Sequence, residues 1–342
     1  MSFHGKFKIG VACGGTGGHI FPGLATAYEL KERGHHVALW LAGREIENNA
    51  VKGWQDEKIS IPGSGFRLFL SKEFLMFLCG FVRSYISAYR IMRKSCYHAF
   101  LAMGNYASAG PVMAANTLKI PVVFHEANAI PGRALYFLAW AADIIAVSFP
   151  QTTKLFKHKH IVHTGYPLRK SLLAPRPHGM VKKAFTLLVM GGSQGASFLN
   201  ETVTESVIEL HKQKINFSVI HLTGKQDYEM VQTKYRNYGV NYEVYDFLNE
   251  MENAYARADF VVSRAGAGAC FEILNAGIPA LLVPYPYASK NHQTANAVAI
   301  NEMVGFDFIE QKDLTPTKLS QYLREMILNK QKLDLIKARI KT

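Results

Sequence analysis

A strand-sized apolar run, a glycine-rich turn and a helical pattern open the chain at residue 7, and the same succession starts again at residue 185. Short apolar runs recur at 7–13, 37–42, 98–103, 120–125 and 143–148, then at 185–190, 217–222, 259–263 and 279–283, with helix-length stretches between them. Apolar strands separated by helical crossovers predict parallel sheets covered on both faces. The rhythm breaks between Thr164 and Lys183, where Gly165, Pro167, Pro175, Pro177 and Gly179 punctuate a charged segment. We therefore expect an α/β chain of two Rossmann-like, doubly wound parallel-sheet domains, at 1–164 and 184–342, joined by a linker at 165–183. At 342 residues the chain exceeds what one core usually holds, which agrees. Open α/β sheets bind ligands at the carboxyl ends of their strands, so the two domains are expected to face a central cleft.

Composition removes several function classes. Hydrophobic residues make up 49% and charged residues 19%, which reads as globular. Cys13, Cys79, Cys96 and Cys270 form no CxxC pair and no metal-ligand spacing, as expected of a reducing compartment, and no secretory leader is recognisable. The net charge of +13 is uneven: residues 1–164 hold 18 Lys and Arg against 9 Asp and Glu. Nucleic acid would suit such a field, but no zinc finger, aromatic RNA-binding motif or arginine-rich tract accompanies it. No nucleic-acid partner is expected.

The first turn, GGTGGHIFPG, ends a strand and opens a helix, so its backbone N–H groups and the positive helix end can hold an anion. A tight turn without a ligand would look the same. It is a poor dinucleotide fingerprint, because LWLAGRE after the second strand shows no clear acidic partner for a ribose, and Walker A spacing is absent. The second turn, MGGSQGA at 190–196, repeats the arrangement in the second domain. A third, SRAGAGACFEI at 263–273, places Glu272 on what is expected to be the first helical turn. There its carboxylate could accept from two ribose hydroxyls, or could merely complement the helix dipole.

These segments, with GNYASAGP at 104–111, IPVVFHEANAIPG at 120–132, and AGIPALLVPYP followed by HQTANA, resemble the MurG family of N-acetylglucosaminyltransferases from about residue 7 to 310. The resemblance implies a GT-B fold and inverting transfer of N-acetylglucosamine from UDP-N-acetylglucosamine to the 4-hydroxyl of an undecaprenyl-diphosphate-linked muramoyl-pentapeptide, in peptidoglycan synthesis. It implies no cofactor and no metal; backbone amides at a helix end would stabilise the departing diphosphate. By the same resemblance the donor lies mainly on the C-terminal domain, touching Ser193, Leu248, Ala267, Gly268, Ala269, Cys270, Phe271 and Glu272, with Thr16, Gly17, Gly18, Asn128, Arg169 and Gln293 as further contacts. Three positions depart from the family. GYPLR at 165–169 stands where GNPVR is common, AGAGACFE at 265–272 lacks the usual hydroxyls near the phosphates, and GNY at 104–106 varies GGY.

His19 closes the first glycine run and is the candidate general base for the acceptor hydroxyl, the alternative being a hydrogen bond that shapes the loop. Arg169 is read as a clamp on the donor phosphates or a partner of a backbone carbonyl. Tyr106, His125 and Glu126 are acceptor-binding candidates, and strand-end packing would explain them equally. The segment 66–94 carries six Lys and Arg against Glu73, and its longest charge-free run, Phe74 to Val82, is far too short to span a bilayer. It suits an anionic membrane surface, with Phe74, Leu75, Leu78, Phe81 and Val82 at the acyl boundary, or else a buried amphipathic helix. Peripheral attachment to the cytoplasmic face of the cell membrane is the corresponding expectation, with cell-wall synthesis enzymes as partners. Rival readings are another UDP-sugar enzyme of the same fold, an epimerase or lipid glycosyltransferase, and a nucleotide-sugar-binding membrane scaffold without catalysis.

Overall fold

The structure is a computed structural model, which describes residues 5–61, 72–158, 160–173, 184–192 and 195–340. The chain divides into two compact units, Met1–Arg169 and Lys170–Thr342.

In the first unit the elements run β1 (Lys8–Ala12), α1 (Gly17–Glu32), β2 (His36–Leu41), α2 (Glu45–Ala50), β3 (Lys58–Ser60), α3 (Lys72–Ser95), β4 (Ala99–Ala102), α4 (Ala109–Thr117), β5 (Val122–Glu126), α5 (Arg133–Leu138), β6 (Ile144–Val147) and β7 (Ile161–His163). The seven strands are all parallel, in the order β3-β2-β1-β4-β5-β6-β7. The order reverses between β1 and β4, which makes their carboxyl ends the switch point at which such sheets bind ligands.

Alternating side chains of the strands feed two cores. Val11, Cys13, Val37, Leu39 and Leu41 pack with Ile20, Leu24 and Ala27 of α1 and with Val51 and Trp54. Ala12, Ala38, Trp40, Phe100 and Phe124 point the other way, onto Ala88 and Met92 of α3, Val112 and Ala115 of α4, and Leu135 and Ala141. Helices α3, α4 and α5 therefore form one layer and α1 and α2 the opposite one. The approach of α4 to α3 depends on Gly110, where any side-chain carbon would strike Ser84.

The second unit contains α6 (Lys170–Leu173), β8 (Phe185–Met190), α7 (Ser197–Lys212), β9 (Phe217–Leu222), α8 (Tyr228–Tyr238), β10 (Tyr242–Tyr245), α9 (Met251–Arg257), β11 (Phe260–Ser263), α10 (Ala267–Asn275), β12 (Ala280–Leu282), α11 (His292–Val304), β13 (Asp307–Phe308), α12 (Pro316–Leu328) and α13 (Lys330–Ile340). Its six-stranded parallel sheet has the order β10-β9-β8-β11-β12-β13, with the switch point between β8 and β11. Leu319, Leu323 and Met326 of α12 are fully buried against this core, a packing role and no more.

Candidate functional site

In the first unit the glycine turn joins β1 to α1 at the switch point. Gly14 is required by contact: a side-chain carbon there would collide with the backbone of Leu41 and Ala42 at the end of β2. Thr16 is the N-cap residue of α1, and Gly17, Gly18 and His19 are its first three residues. The Thr16 hydroxyl lies 3.2 Å from His19 Nδ1. His19 is half-buried and on the first helical turn, where the positive helix end opposes a second positive charge.

Two side chains that the sequence did not single out hold this turn. Glu47, on α2, is 1% exposed; its Oε1 accepts from the Gly15 N–H at 2.6 Å and its Oε2 from those of Gly43 and Arg44 at 2.9 and 3.2 Å. An acidic residue does follow the second strand after all, but it faces inward onto backbone amides, so it is committed to the protein instead of a ribose. Asn105 bridges the switch point: its Nδ2 donates to the Gly14 carbonyl from the turn after β4, while its Oδ1 accepts from the Ser108 N–H at 2.9 Å. The departure from GGY at 104–106 is thus a tie between the two loops.

The acceptor-binding candidates divide. Tyr106 opens a 3-10 turn and lines a small recess with Phe77, Phe81 and Ser84, and burial raises its hydroxyl above the ordinary pKa of 10, keeping it a neutral donor. His125 and Glu126, at the carboxyl end of β5, are each only 4% exposed. His125 Nε2 is 3.0 Å from the Ser148 hydroxyl, and burial lowers its pKa to about 4 against a weaker opposing hydrogen bond with the Gly165 backbone. Glu126 accepts from the N–H and side-chain amide of Asn128 at 2.9 and 3.2 Å and from the Gly132 N–H at 2.9 Å. Burial raises its pKa while these bonds oppose the rise. For His125 and Glu126 these bonds match the strand-end packing alternative. Both lie inside the unit, where Glu126 clamps the loop that presents Asn128. The Arg169 guanidinium sits 5.2 Å over the ring of Phe21 on α1.

In the second unit, Gly191 to Ala196 joins β8 to α7 and the 264–266 turn joins β11 to α10, so both flank the switch point. Ser193 lies outside the described residues. The turn closes through Gly195 N–H to the Gly192 carbonyl at 3.0 Å. Gly195 has φ +79°, and a side-chain carbon there would strike the Thr223 carbonyl. Leu248 is half-buried in the loop after β10, and Gln293 Oε1 accepts from the Tyr285 N–H at 3.0 Å.

Glu272 requires a correction. Helix α10 starts at Ala267 with Gly266 as N-cap, so Glu272 is its sixth residue and lies beyond the first turn. Dipole complementation falls off within that turn. The carboxylate is instead oriented by Tyr255, whose hydroxyl donates to Oε2 at 2.9 Å. Ala267, Gly268 and Ala269 form the first turn, whose amides have no acceptor within the helix. Ala267 and Cys270 are buried, and burial pushes the Cys270 thiol up to about 12; Phe271 is half-buried.

Arg264 and Asn296 were also missed. Arg264 is 5% exposed and donates to the carbonyls of Val283 and Pro284, both at 3.2 Å, and to Gln311 Oε1 at 2.7 Å. Burial lowers its pKa to about 10, so it remains a cation at neutral pH, and no carboxylate is among these partners. Asn296 Nδ2 donates to the Ala265 carbonyl at 3.0 Å and pins the turn from α11. Both residues stand within motifs already quoted, and an arginine closing the apolar strand FVVS was the available signal. Among the described residues no group of three or more His, Cys, Asp or Glu could hold a metal ion.

Helix α3 presents Met76, Leu78, Val82 and Ile86 to the outside together with Arg83, Arg90, Arg93 and Lys94. Ser84, Ala88 and Met92 face inward. Phe81 is turned toward the Tyr106 recess and not to the outer face, while the side chains of Phe74 and Leu75 lie outside those described. No helix among the described residues is long and apolar enough to cross a membrane.

Two parallel sheets with a glycine turn at each switch point define a two-domain α/β architecture of the nucleotide-binding kind, and comparison with known proteins makes it a glycosyltransferase. Residues 9–147 match the glycosyltransferase family 28 N-terminal domain, and residues 186–341 match the glycosyltransferase family 28 C-terminal domain. Relatives from Myxococcus xanthus (34% identical, covering 93% of this chain and 84% of that protein) and Syntrophotalea carbinolica (35%, 98% and 94%) are both named as UDP-N-acetylglucosamine–N-acetylmuramyl-(pentapeptide) pyrophosphoryl-undecaprenol N-acetylglucosamine transferases. The crystal structure of Acinetobacter baumannii MurG superposes with a TM-score of 0.78 at 29% identity, covering 98% of this chain and 94% of that one. The chain belongs to the MurG family of glycosyltransferases.

Proposed function

We propose that the protein transfers N-acetylglucosamine from UDP-N-acetylglucosamine to the 4-hydroxyl of a muramoyl-pentapeptide on undecaprenyl diphosphate. The observation that carries this reading is the agreement of both halves with family 28 domains, combined with an anion-ready glycine turn at the switch point of each sheet. On the acceptor side, His19 acts in the tautomer protonated at Nδ1, the nitrogen that faces the Thr16 hydroxyl, which leaves the lone pair on Nε2. Nε2 takes the proton of the acceptor hydroxyl as its oxygen bonds the anomeric carbon. The bond from that carbon to the diphosphate breaks with inversion, and UDP leaves with the electron pair.

On the donor side the first-turn amides of α10, at Ala267, Gly268 and Ala269, take over the work of the missing hydroxyls, and the uncompensated charge of Arg264 favours the departing diphosphate. Glu272, oriented by Tyr255, accepts from the ribose hydroxyls; Ser193, Cys270, Phe271, Leu248 and Gln293 complete the donor contacts. Thr16, Gly17, Gly18, Asn128 and Arg169 contribute from the first unit. Tyr106 lines the acceptor sugar. The outer face of α3 docks on the anionic cytoplasmic surface of the membrane, from which a lipid-linked acceptor has to be taken.

The test is transfer of labelled sugar from UDP-N-acetylglucosamine to a lipid-linked muramoyl acceptor, with UDP release measured alongside. Acceptor-dependent release with label in the lipid fraction is expected. Donor binding without turnover would mark a scaffold, and conversion of the nucleotide sugar in the absence of acceptor an epimerase. Reversing Arg83, Arg90 and Arg93 to Glu is expected to weaken binding to phosphatidylglycerol vesicles while leaving UDP binding intact.

A further inference from the structure

Three large aromatic side chains stand in solvent within one short stretch after β5: Tyr136, Phe137 and Trp140 are 58, 69 and 65% exposed. Their neighbours Ala134, Leu135 and Ala141 are buried, so the stretch is amphipathic with its aromatic side outward. A patch of this kind on a water-soluble surface marks a contact site. Its place in the fold says which. Leu135 and Ala141 pack into the same core as Ala88 and Met92 of α3, so the aromatics and the basic face of α3 look out from one helical layer, with α4 between them.

The layer is also electrically polarised. Between Lys72 and Lys157 there are nine Lys and Arg and three acids, Glu73, Glu126 and Asp143. Glu126 is buried in its loop, and Asp143 accepts from the Val122 N–H at 2.8 Å. The stretch from Glu29 to Lys58, which supplies the opposite layer, has five Lys and Arg against six acids. Crossover helices of a parallel sheet start at the carboxyl edge of its strands. The exposed apolar residues of α3, Met76 to Val82, and Arg133 to Phe137 of α5 therefore lie toward the edge that carries the His19 and Asn128 loops.

We propose that Tyr136, Phe137 and Trp140 form a second membrane anchor, inserting into the headgroup region of an anionic bilayer beside α3. The proposal rests on the membrane docking of α3 put forward above and adds a distinct set of contacts to it. Tyr136 and Trp140, each with one polar group on its ring, favour the interfacial region and Phe137 adds apolar area between them; two separated contacts fix the orientation of a docked protein where a single helix would let it roll. The partner is thus a lipid surface, chosen by the cationic setting of the rings.

Trp140 provides the measurement, because the other two tryptophans, Trp40 and Trp54, are 3 and 2% exposed. The full chain is mixed with phosphatidylglycerol–phosphatidylcholine vesicles whose acyl chains carry bromine near the headgroup. Quenching and a blue shift of the Trp140 emission are expected, both lost in Trp140→Phe. The triple variant Tyr136→Ser, Phe137→Ser, Trp140→Ser is expected to partition onto these vesicles at least roughly tenfold more weakly. Its thermal midpoint and UDP binding should match the parent. If wild type binds vesicles with Trp140 unquenched, or the triple variant binds as wild type does, the second anchor is wrong and α3 docks alone. If wild type does not bind at all, both readings fall. Concentration-dependent self-association abolished by the triple variant, with vesicle binding intact, would make the patch a contact between copies and overturn the proposal.

Discussion

At the scale of single residues, two imidazoles near one edge of the first sheet are held in different surroundings. His19 is half-buried on the first turn of α1 with Nδ1 beside the Thr16 hydroxyl, whereas His125 is enclosed. If His19 moves the acceptor proton, His19→Ala should lower kcat by about a hundredfold or more with donor KM little changed, as loss of a general base does. Near-full turnover at saturating acceptor would reduce His19 to a loop-shaping role. His125 has another consequence. Its pKa in the fold is about 4, below the ordinary 6.5, because burial penalises the imidazolium. Below about pH 6.5 the unfolded chain binds that proton more readily than the folded one, so stability falls as the pH drops from there toward 4. His221 in the second unit, lowered to about 3, acts in the same direction. Each should remove on the order of 3 kcal/mol by about pH 4. Denaturant titrations from neutral to acid pH check this, and the slope should flatten in His125→Gln and His221→Gln; an unchanged slope would place the acid sensitivity elsewhere.

At the scale of elements, two of the glycine turns are fixed by polar side chains from neighbouring segments: buried Glu47 and half-buried Asn105 for the first turn, buried Asn296 for the turn before α10. Glu47→Gln would replace one acceptor oxygen with an amide N–H facing a backbone N–H. A loss of about 1–3 kcal/mol in stability is expected, with a higher acceptor KM and a smaller loss of UDP affinity, since most donor contacts are assigned to the second unit. A rise in the UDP dissociation constant as large as the rise in acceptor KM would show that the donor contacts of Thr16, Gly17 and Gly18 outweigh the acceptor role of this turn. In the second unit Tyr255→Phe should weaken donor binding several-fold by releasing Glu272, and Glu272→Gln more so, since hydrogen bonds to a charged group contribute about 1.5–3 kcal/mol. The long apolar strands and both switch-point turns were legible from the sequence, because period and glycine spacing are local properties. The strands β3, β7, β10 and β13 were not: KIS, IVH, YEVY and DF are two to four residues long, and the pairing that defines them is remote in sequence. Nor was the true start of α10 legible, since glycine at 266 and again at 268 left two possible caps. The roles of Glu47 and Asn105 depend on contacts across 32 and 91 residues, which no local pattern encodes.

At the scale of the whole molecule, charge separates the two tasks. The basic excess is concentrated in one layer of the first unit, around the outer face of α3. The donor site proposed for the second unit relies on backbone amides at a helix end and on a buried arginine. These two kinds of electrostatics respond differently to salt. Exposed charges are screened over a Debye length of about 8 Å near physiological ionic strength and less above it, while buried groups are screened far less. Raising the salt concentration should therefore depress turnover of an acceptor embedded in anionic vesicles, through loss of protein from the surface. Turnover of a short-chain, water-soluble acceptor analogue and the affinity for UDP should change little. The Arg83, Arg90 and Arg93 reversal should abolish the salt sensitivity of the vesicle assay, because the attraction that salt weakens would already be gone. Equal salt dependence with both acceptors would mean that ionic strength acts on the catalytic site itself, and the basic layer would then need a role other than membrane docking.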